Sequence, residues 1–386
     1  MHLRRLVFPV GVAVVLLATA ACAQKRKDAP KPVPKAEVKQ QAKANEPVQL
    51  MITGHSLTDR PIPEYLEHIA TAAGHKLEWQ RQMGLGSTLK WRARQGEAPP
   101  EKEWRGYREG FNRGETKGLD IVAEIRNPKT VSGPYDIAIV AEGHNIMRHA
   151  RWNQTVEYLR HLHDLMAEVQ PDVVTWSYHG WLGLKDAADP KEFLAFNAAE
   201  VPVWECITTR TNETLAAEGR PQNVRDLPMS HAIGVLVEHL VQNRIRGLPE
   251  SAKERIALFV YDPPPSTNPV HITNLGKYYA ALVTYGFVFG QSPVGTQAPP
   301  GLEAKAETLE DLRKLAAEVV EGYAAKRKAE GPRTMKWCSQ YTAALCEQHH
   351  AFIEGPNPHQ IKACQRYYGG DESPFSKPFV ALPRVP

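Results

Sequence analysis

Long apolar runs are missing from this chain. A helix that spans a bilayer needs about 20 apolar residues, and the stretch from Leu6 to Leu17 falls short of that. Cysteine is scarce, with five in 386 residues, and their spacing fits no common zinc pattern. The metalloprotease signature H-E-x-x-H does not occur, and there is no internal repeat. A strong excess of charge is missing too. The formal net charge is +4, but nine of the 47 Lys and Arg lie before residue 44, against only Asp28 and Glu37 of the 43 acids. The remainder holds 38 basic and 41 acidic side chains, so the basic balance carries no nucleic-acid signal. What is present is ordinary for a globular protein: 42% hydrophobic and 23% charged residues. That is enough for a sizeable core in one large or two ordinary domains.

The first residues read as an export signal over 1–22: Arg4 and Arg5, the apolar run, then Ala18, Thr19, Ala20, Ala21 and Cys22. Small residues before Cys22 resemble a lipobox, which would leave a lipidated Cys22, although Thr19 stands where such signals usually carry Leu. The alternative is an A-x-A site that releases a chain starting at Gln24. Either route leads to the periplasm or to an outer-membrane-anchored lipoprotein of a bacterium. Residues 23–47, rich in Lys, Pro and Ala, have little to bury and are expected to form a disordered tether. Membrane contact is expected only through an N-terminal lipid anchor. The other four cysteines, Cys206, Cys338, Cys346 and Cys364, fit two disulfides in an oxidising compartment, with three pairings open. Zinc is the rival reading, because His349 and His350 lie close to Cys346.

From Val48 short apolar runs alternate with amphipathic ones. Strands are expected at 48–54, 76–82, 135–142, 172–179 and 255–261, and helices at 62–73, 152–169, 193–218, 228–244, 273–289 and 307–329. Residues 85–133 read as irregular. Strands separated by helices of this length imply an α/β fold, with a parallel sheet and helices on both faces. A main α/β domain is expected over 48–295 and a helical, cysteine-containing extension over 296–386. Ligands of such sheets sit beyond the carboxyl ends of the strands, so reactive residues are sought immediately after each strand.

Three clusters fall in such places. Gly54-His55-Ser56-Leu57-Thr58-Asp59 follows the first strand, where a Ser can expose both its hydroxyl and its amide; the bland reading is a helix cap. Ala141-Glu142-Gly143-His144-Asn145 closes the third strand, where the Asn amide can serve an oxyanion or merely cap a turn. Asn268-Pro269-Val270-His271 precedes the last long helix of the body, and a His held there can act as a general base.

The order and spacing of these clusters resemble blocks I, III and V of the SGNH (GDSL-like) hydrolases. Met83-Gly84-Leu85-Gly86 is similar to block II. The resemblance covers about residues 48–295. It implies a three-layer α/β/α sandwich, Ser56 as nucleophile, His271 as base, and an oxyanion hole made by the Ser56 and Gly86 amides and the Asn145 side chain. The implied reaction is ester hydrolysis through an acyl-enzyme, without cofactor or metal. An ester substrate, foremost an acylated carbohydrate, is expected as partner, and no nucleic acid.

Two residues depart from the pattern. His55 stands where block I carries Asp, and Asn268 stands where block V carries the acid that orients the base. Asp262, at the end of the strand expected over 255–261, is the alternative acid. The rival from another class is an envelope-anchored binding protein that keeps the scaffold without catalysis. Trp176, Tyr178, His179 and Trp181 read either as a sugar-stacking cleft or as packing, and Glu205 either as a partner of an active-site group or as a solvated helix residue.

Overall fold

The computed structural model describes residues 46–96, 103–109, 119–260, 270–353 and 355–386. The signal, nearly all of the tether, Asp262 and Asn268 therefore lie outside the described residues. Five strands form one parallel sheet: β1 (Val48–Gly54), β2 (Leu77–Met83), β3 (Ile137–Ala141), β4 (Val174–Tyr178) and β5 (Val224–Leu227), in the order β2-β1-β3-β4-β5. All residues of β3 and β4 are buried, as expected of central parallel strands covered on both faces.

The crossover from β1 to β2 runs toward one edge of the sheet, and every later crossover runs toward the other. Right-handed connections then place α1 (Ile62–Ala72) on one face, and α6 (Thr155–Ala167) and α7 (Lys191–Ala217) on the opposite face. After β5 the chain returns to the α1 face through α8 (Met229–Val241) and α10 (Asn274–Phe289), where α10 packs against α1, α8 and α11 (Ala306–Glu330). The expected three-layer α/β/α architecture is the one observed.

Within the region expected to be irregular, three short helices form: α2 (Leu89–Arg94), α3 (Arg105–Glu109) and α4 (Ile121–Arg126). The helix expected over 152–169 is α6, and a further short helix, α5 (Ile146–Trp152), precedes it, with Gln154 in the left-handed region at φ 52° just before α6.

One strand expectation is overturned. Residues 252–257 form a helix, α9 (Ala252–Ala257), and a turn follows. Ile256, Phe259 and Val260 are buried, the i, i+3, i+4 spacing of a helical face rather than of a strand. Arg255 fixes the segment: its Nε donates to the Leu240 carbonyl at 2.5 Å, and its terminal nitrogens reach Pro249 O at 3.0 Å and Val241 O at 3.1 Å. The strand expected to carry Asp262 is therefore absent, and the sheet edge is taken by β5. That strand, Val-Arg-Asp-Leu, buries only its first and last residues, so no apolar run announces it.

Beyond residue 296, α12 (Met335–Ile353) packs on α7 and on α13 (Pro358–Gly369). The two disulfides are Cys206–Cys338, joining α7 to the start of α12, and Cys346–Cys364, joining α12 to α13.

Candidate active site at the carboxyl ends of the strands

In a sheet of this order the connections leave β1 and β3 toward opposite faces, which opens a crevice beyond their carboxyl ends. Ser56 and Asn145 stand at that crevice. Ser56 opens a single 3-10 turn, Ser56–Thr58, after β1 and is partly exposed. The turn is held from two sides. Thr58 N and Thr58 Oγ1 donate to His55 O at 2.8 and 3.0 Å, and Tyr178 Oη at the end of β4 donates to Leu57 O at 2.9 Å. Gly54 is required beneath it, since a Cβ there would lie 1.8 Å from Thr58 Oγ1.

His55 is buried and does not face solvent. Its Nε2 lies 2.8 Å from the carbonyl of Glu142. A carbonyl only accepts, so Nε2 carries the proton, and Nδ1 faces the Leu57 amide at 3.4 Å. Burial, with Arg92 nearby, lowers its pKa from 6.5 to about 3. A neutral imidazole thus joins the end of β1 to the end of β3.

Beneath this crossing sits Arg92 of α2, fully buried. Its Nε donates to Thr53 Oγ1 at 3.0 Å, one terminal nitrogen donates to Ser87 O and Oγ at 3.0 and 2.9 Å, and the other donates to Ala141 O. One guanidinium therefore ties β1, the loop carrying Gly86 and the end of β3. Burial lowers its pKa to about 10, so it stays charged at neutral pH, with Glu142 nearby opposing the shift. Glu142 is itself satisfied: Oε1 accepts from the amides of Leu89 at 3.0 Å and Gly143 at 2.7 Å, and Oε2 from Thr155 Oγ1 at 2.8 Å. Gly86 lies in the left-handed region at φ 66° on an exposed loop. No hydrogen bond among the described residues engages the Ser56 or Gly86 amide.

Asn145 caps the N-terminus of α5, with Oδ1 accepting from Arg148 N at 3.0 Å. The same oxygen lies 3.0 Å from Nε2 of His349, on α12. Both contacts require an acceptor, which fixes the amide orientation and leaves Nδ2 as the end that can donate elsewhere. Gly143 allows this turn to lie close to His149: a Cβ there would stand 2.3 Å from His149 Nε2.

His271 lies three residues before α10 and is partly exposed. Its segment is anchored on both sides. Trp181 Nε1 donates to Val270 O at 3.0 Å, while Thr273 caps α10 and donates to Leu258 O at 2.6 Å. The first turn of α10 reaches the Ser56 loop, where Lys277 Nζ donates to Arg60 O at 3.1 Å. His144 links the two regions. Its ring is 6.2 Å from that of His55, and burial, then His149, then His271 lower its pKa to about 4. The fold thus brings Ser56, Asn145 and His271 to one rim of the sheet. No hydrogen bond joins Ser56 to His271 among the described residues, and no carboxylate among them bonds the His271 ring.

Trp176, Tyr178, His179 and Trp181 are all buried, so they are packing and not a sugar cleft. His179 bonds Asp226 at 3.1 Å. Glu205 is neither solvated nor at the site: Tyr323 Oη at 3.1 Å and Arg333 at 2.5 Å hold it in the core. Cys346 is bonded to Cys364 and His349 to Asn145, which removes the pair on which the zinc reading rested. Arg92, Glu142 and His349 join the site, although the sequence had assigned none of them a role there. Glu142 had a signal, a charged residue closing an apolar strand, whereas Arg92 lies in a stretch without periodicity.

No protein-family pattern matches the chain, and no curated protein is similar to it in sequence. Among solved structures it is similar to a DUF4886 family protein from Bacteroides uniformis, with 11% identity and a TM-score of 0.48 over 72% of this chain and 95% of that one.

Proposed function

We propose that the protein is an exported serine esterase of SGNH type. Ser56 Oγ attacks an ester carbonyl and passes its proton to His271. The oxyanion is held by the amides of Ser56 and Gly86 and by Nδ2 of Asn145. Collapse of the adduct breaks the ester bond, and the departing alkoxide takes the proton from His271. Water, deprotonated by His271, then releases the acid from Ser56. The observation that supports this reading is the setting of Asn145, on the turn after β3: its oxygen is engaged twice, which leaves its NH2 group as the end that can donate to a substrate. Acylated carbohydrate is the first substrate class to try, and the two buried disulfides suit an oxidising compartment.

A fluorophosphonate probe tests it. Wild type becomes labelled and hydrolyses short-chain aryl acetates, while Ser56→Ala does neither. A wild-type protein that is neither labelled nor active favours the second reading, a non-catalytic envelope binding protein, for which Asn268 in place of the acid is the specific observation.

A further inference from the structure

A cavity of about 420 Å³ opens beside Asn145, between α5 and the disulfide-linked helices α12 and α13. Its volume falls within the range of about 300–1,000 Å³ of small-ligand sites. A second cavity of about 460 Å³ lies by Arg160, Glu168, Glu218 and Arg220, where α6 leads into the start of β4. It is remote from the carboxyl ends of the strands, and Arg160 and Arg220 are paired with carboxylates there.

The cavity at Asn145 has a different character. Arg148, Arg151, His349, His350 and Gln360 line it, and among the described residues no Asp or Glu does. Neither arginine forms an ion pair among the described residues, and Nε of Arg151 is buried without a hydrogen-bond partner. His349 is 93% buried, as its exposure is 7%. Its Nε2–H is engaged by Asn145, which leaves Nδ1 as a buried acceptor without a partner. At the mouth stands Trp152, 62% exposed, with the Arg151 guanidinium 4.4 Å from its ring centre. Unpaired cations call for an anion, an unfilled acceptor calls for a hydroxyl, and an open aromatic face beside them suits the apolar face of a sugar ring.

We propose that this cavity binds an acidic saccharide, with its carboxylate at Arg148 and Arg151, a hydroxyl at His349 Nδ1 and a ring face on Trp152. Its place next to Asn145 makes it a subsite for the sugar that carries the scissile ester. That last link rests on the esterase reading; the binding itself does not.

The test is calorimetric titration of the full chain carrying Ser56→Ala with tetragalacturonate, and with maltotetraose as the neutral control. Tetragalacturonate binds at least about tenfold more tightly than maltotetraose and loses affinity as salt is raised. Arg148→Glu, an exposed position that folding tolerates, and Arg151→Gln each weaken it about tenfold or more, and Trp152→Ala weakens it as well. Equal affinity for the two oligosaccharides, or binding unchanged by Arg148→Glu, overturns the proposal. Binding indifferent to Trp152→Ala makes the cavity a bare anion site and overturns the saccharide assignment. Tetragalacturonate binding in a wild-type protein that hydrolyses no ester would keep this inference and end the esterase reading.

Discussion

Nε2 of His349 donates to Oδ1 of Asn145 across 3.0 Å, joining two residues 204 positions apart. The contact gives the C-terminal extension a part in the candidate site. His349→Ala is expected to lower kcat on aryl acetates more than it changes KM, because the Asn145 amide loses one of its two restraints. His349→Gln, which keeps a donor, restores part of the loss. Asn145→Ala sets the scale, at about 100- to 1,000-fold in kcat for one oxyanion donor. Steady-state kinetics on the three variants checks this, and an unchanged kcat in His349→Ala would remove the positioning role.

Asn268→Asp is expected to raise kcat. An Asn can orient an imidazole but cannot stabilise its charge, and in the serine-protease triad replacing Asp by Asn lowers turnover about ten-thousandfold. A gain of about tenfold at neutral pH would place residue 268 beside His271 in function. No gain would point to a dyad assisted by other groups.

Arg92→Met should destabilise the fold by about 3–5 kcal/mol, because it strands the acceptors that the buried guanidinium serves on β1, the Gly86 loop and β3. Chemical denaturation measures it, and a loss below about 1 kcal/mol would mean that the network adds little to stability.

Stability should fall as the pH drops from about 6.5 toward 4. Burial lowers the pKa of His55 to about 3 and those of His144, His161, His163, His231 and His349 to about 4. The folded state holds them neutral, while the unfolded chain binds protons below about 6.5. The unfolded state therefore takes up more protons throughout that window, and the stabilisation present above pH 6.5 is lost on acidification. Scanning calorimetry between pH 7 and 4.5 tests it; a flat Tm would mean that these rings are not buried in solution.

Reduction should weaken the extension before the sheet. On loop length alone, the chain-entropy account gives the bridge across 132 residues about 5 kcal/mol and the bridge across 18 residues about 3 kcal/mol. Under dithiothreitol the Tm should fall, and Cys346→Ser with Cys364→Ser should cost less than Cys206→Ser with Cys338→Ser. Equal costs would argue against the loop-length account.

Much of the architecture was legible because β1, β3 and β4 are apolar runs and the long helices between them carry periodic faces. Their alternation implied the parallel sheet, and the sheet implied the rim. Ser56, Asn145 and His271 could be located because each follows or precedes such an element. What stayed hidden is built from polar residues. Val224–Leu227 forms a strand with two of its four side chains buried, and its Asp226 bonds Nε2 of His179. Arg255 turns an apolar stretch into a helix by capping carbonyls from another element. Arg92 owes its role to partners on three segments, and no local pattern encodes partners so far apart. The pairing of the four cysteines is likewise a matter of helix packing, which spacing does not reveal.

The contact between α12 and α5 also sets an order of events during synthesis. Asn145 is made 204 residues before the histidine that fixes its amide. A nascent chain can pair its central strands well before His349 has emerged, yet its rim stays unfinished. Full reactivity at Ser56, where the esterase reading holds, would then wait until α12 has docked and brought His349 to Asn145.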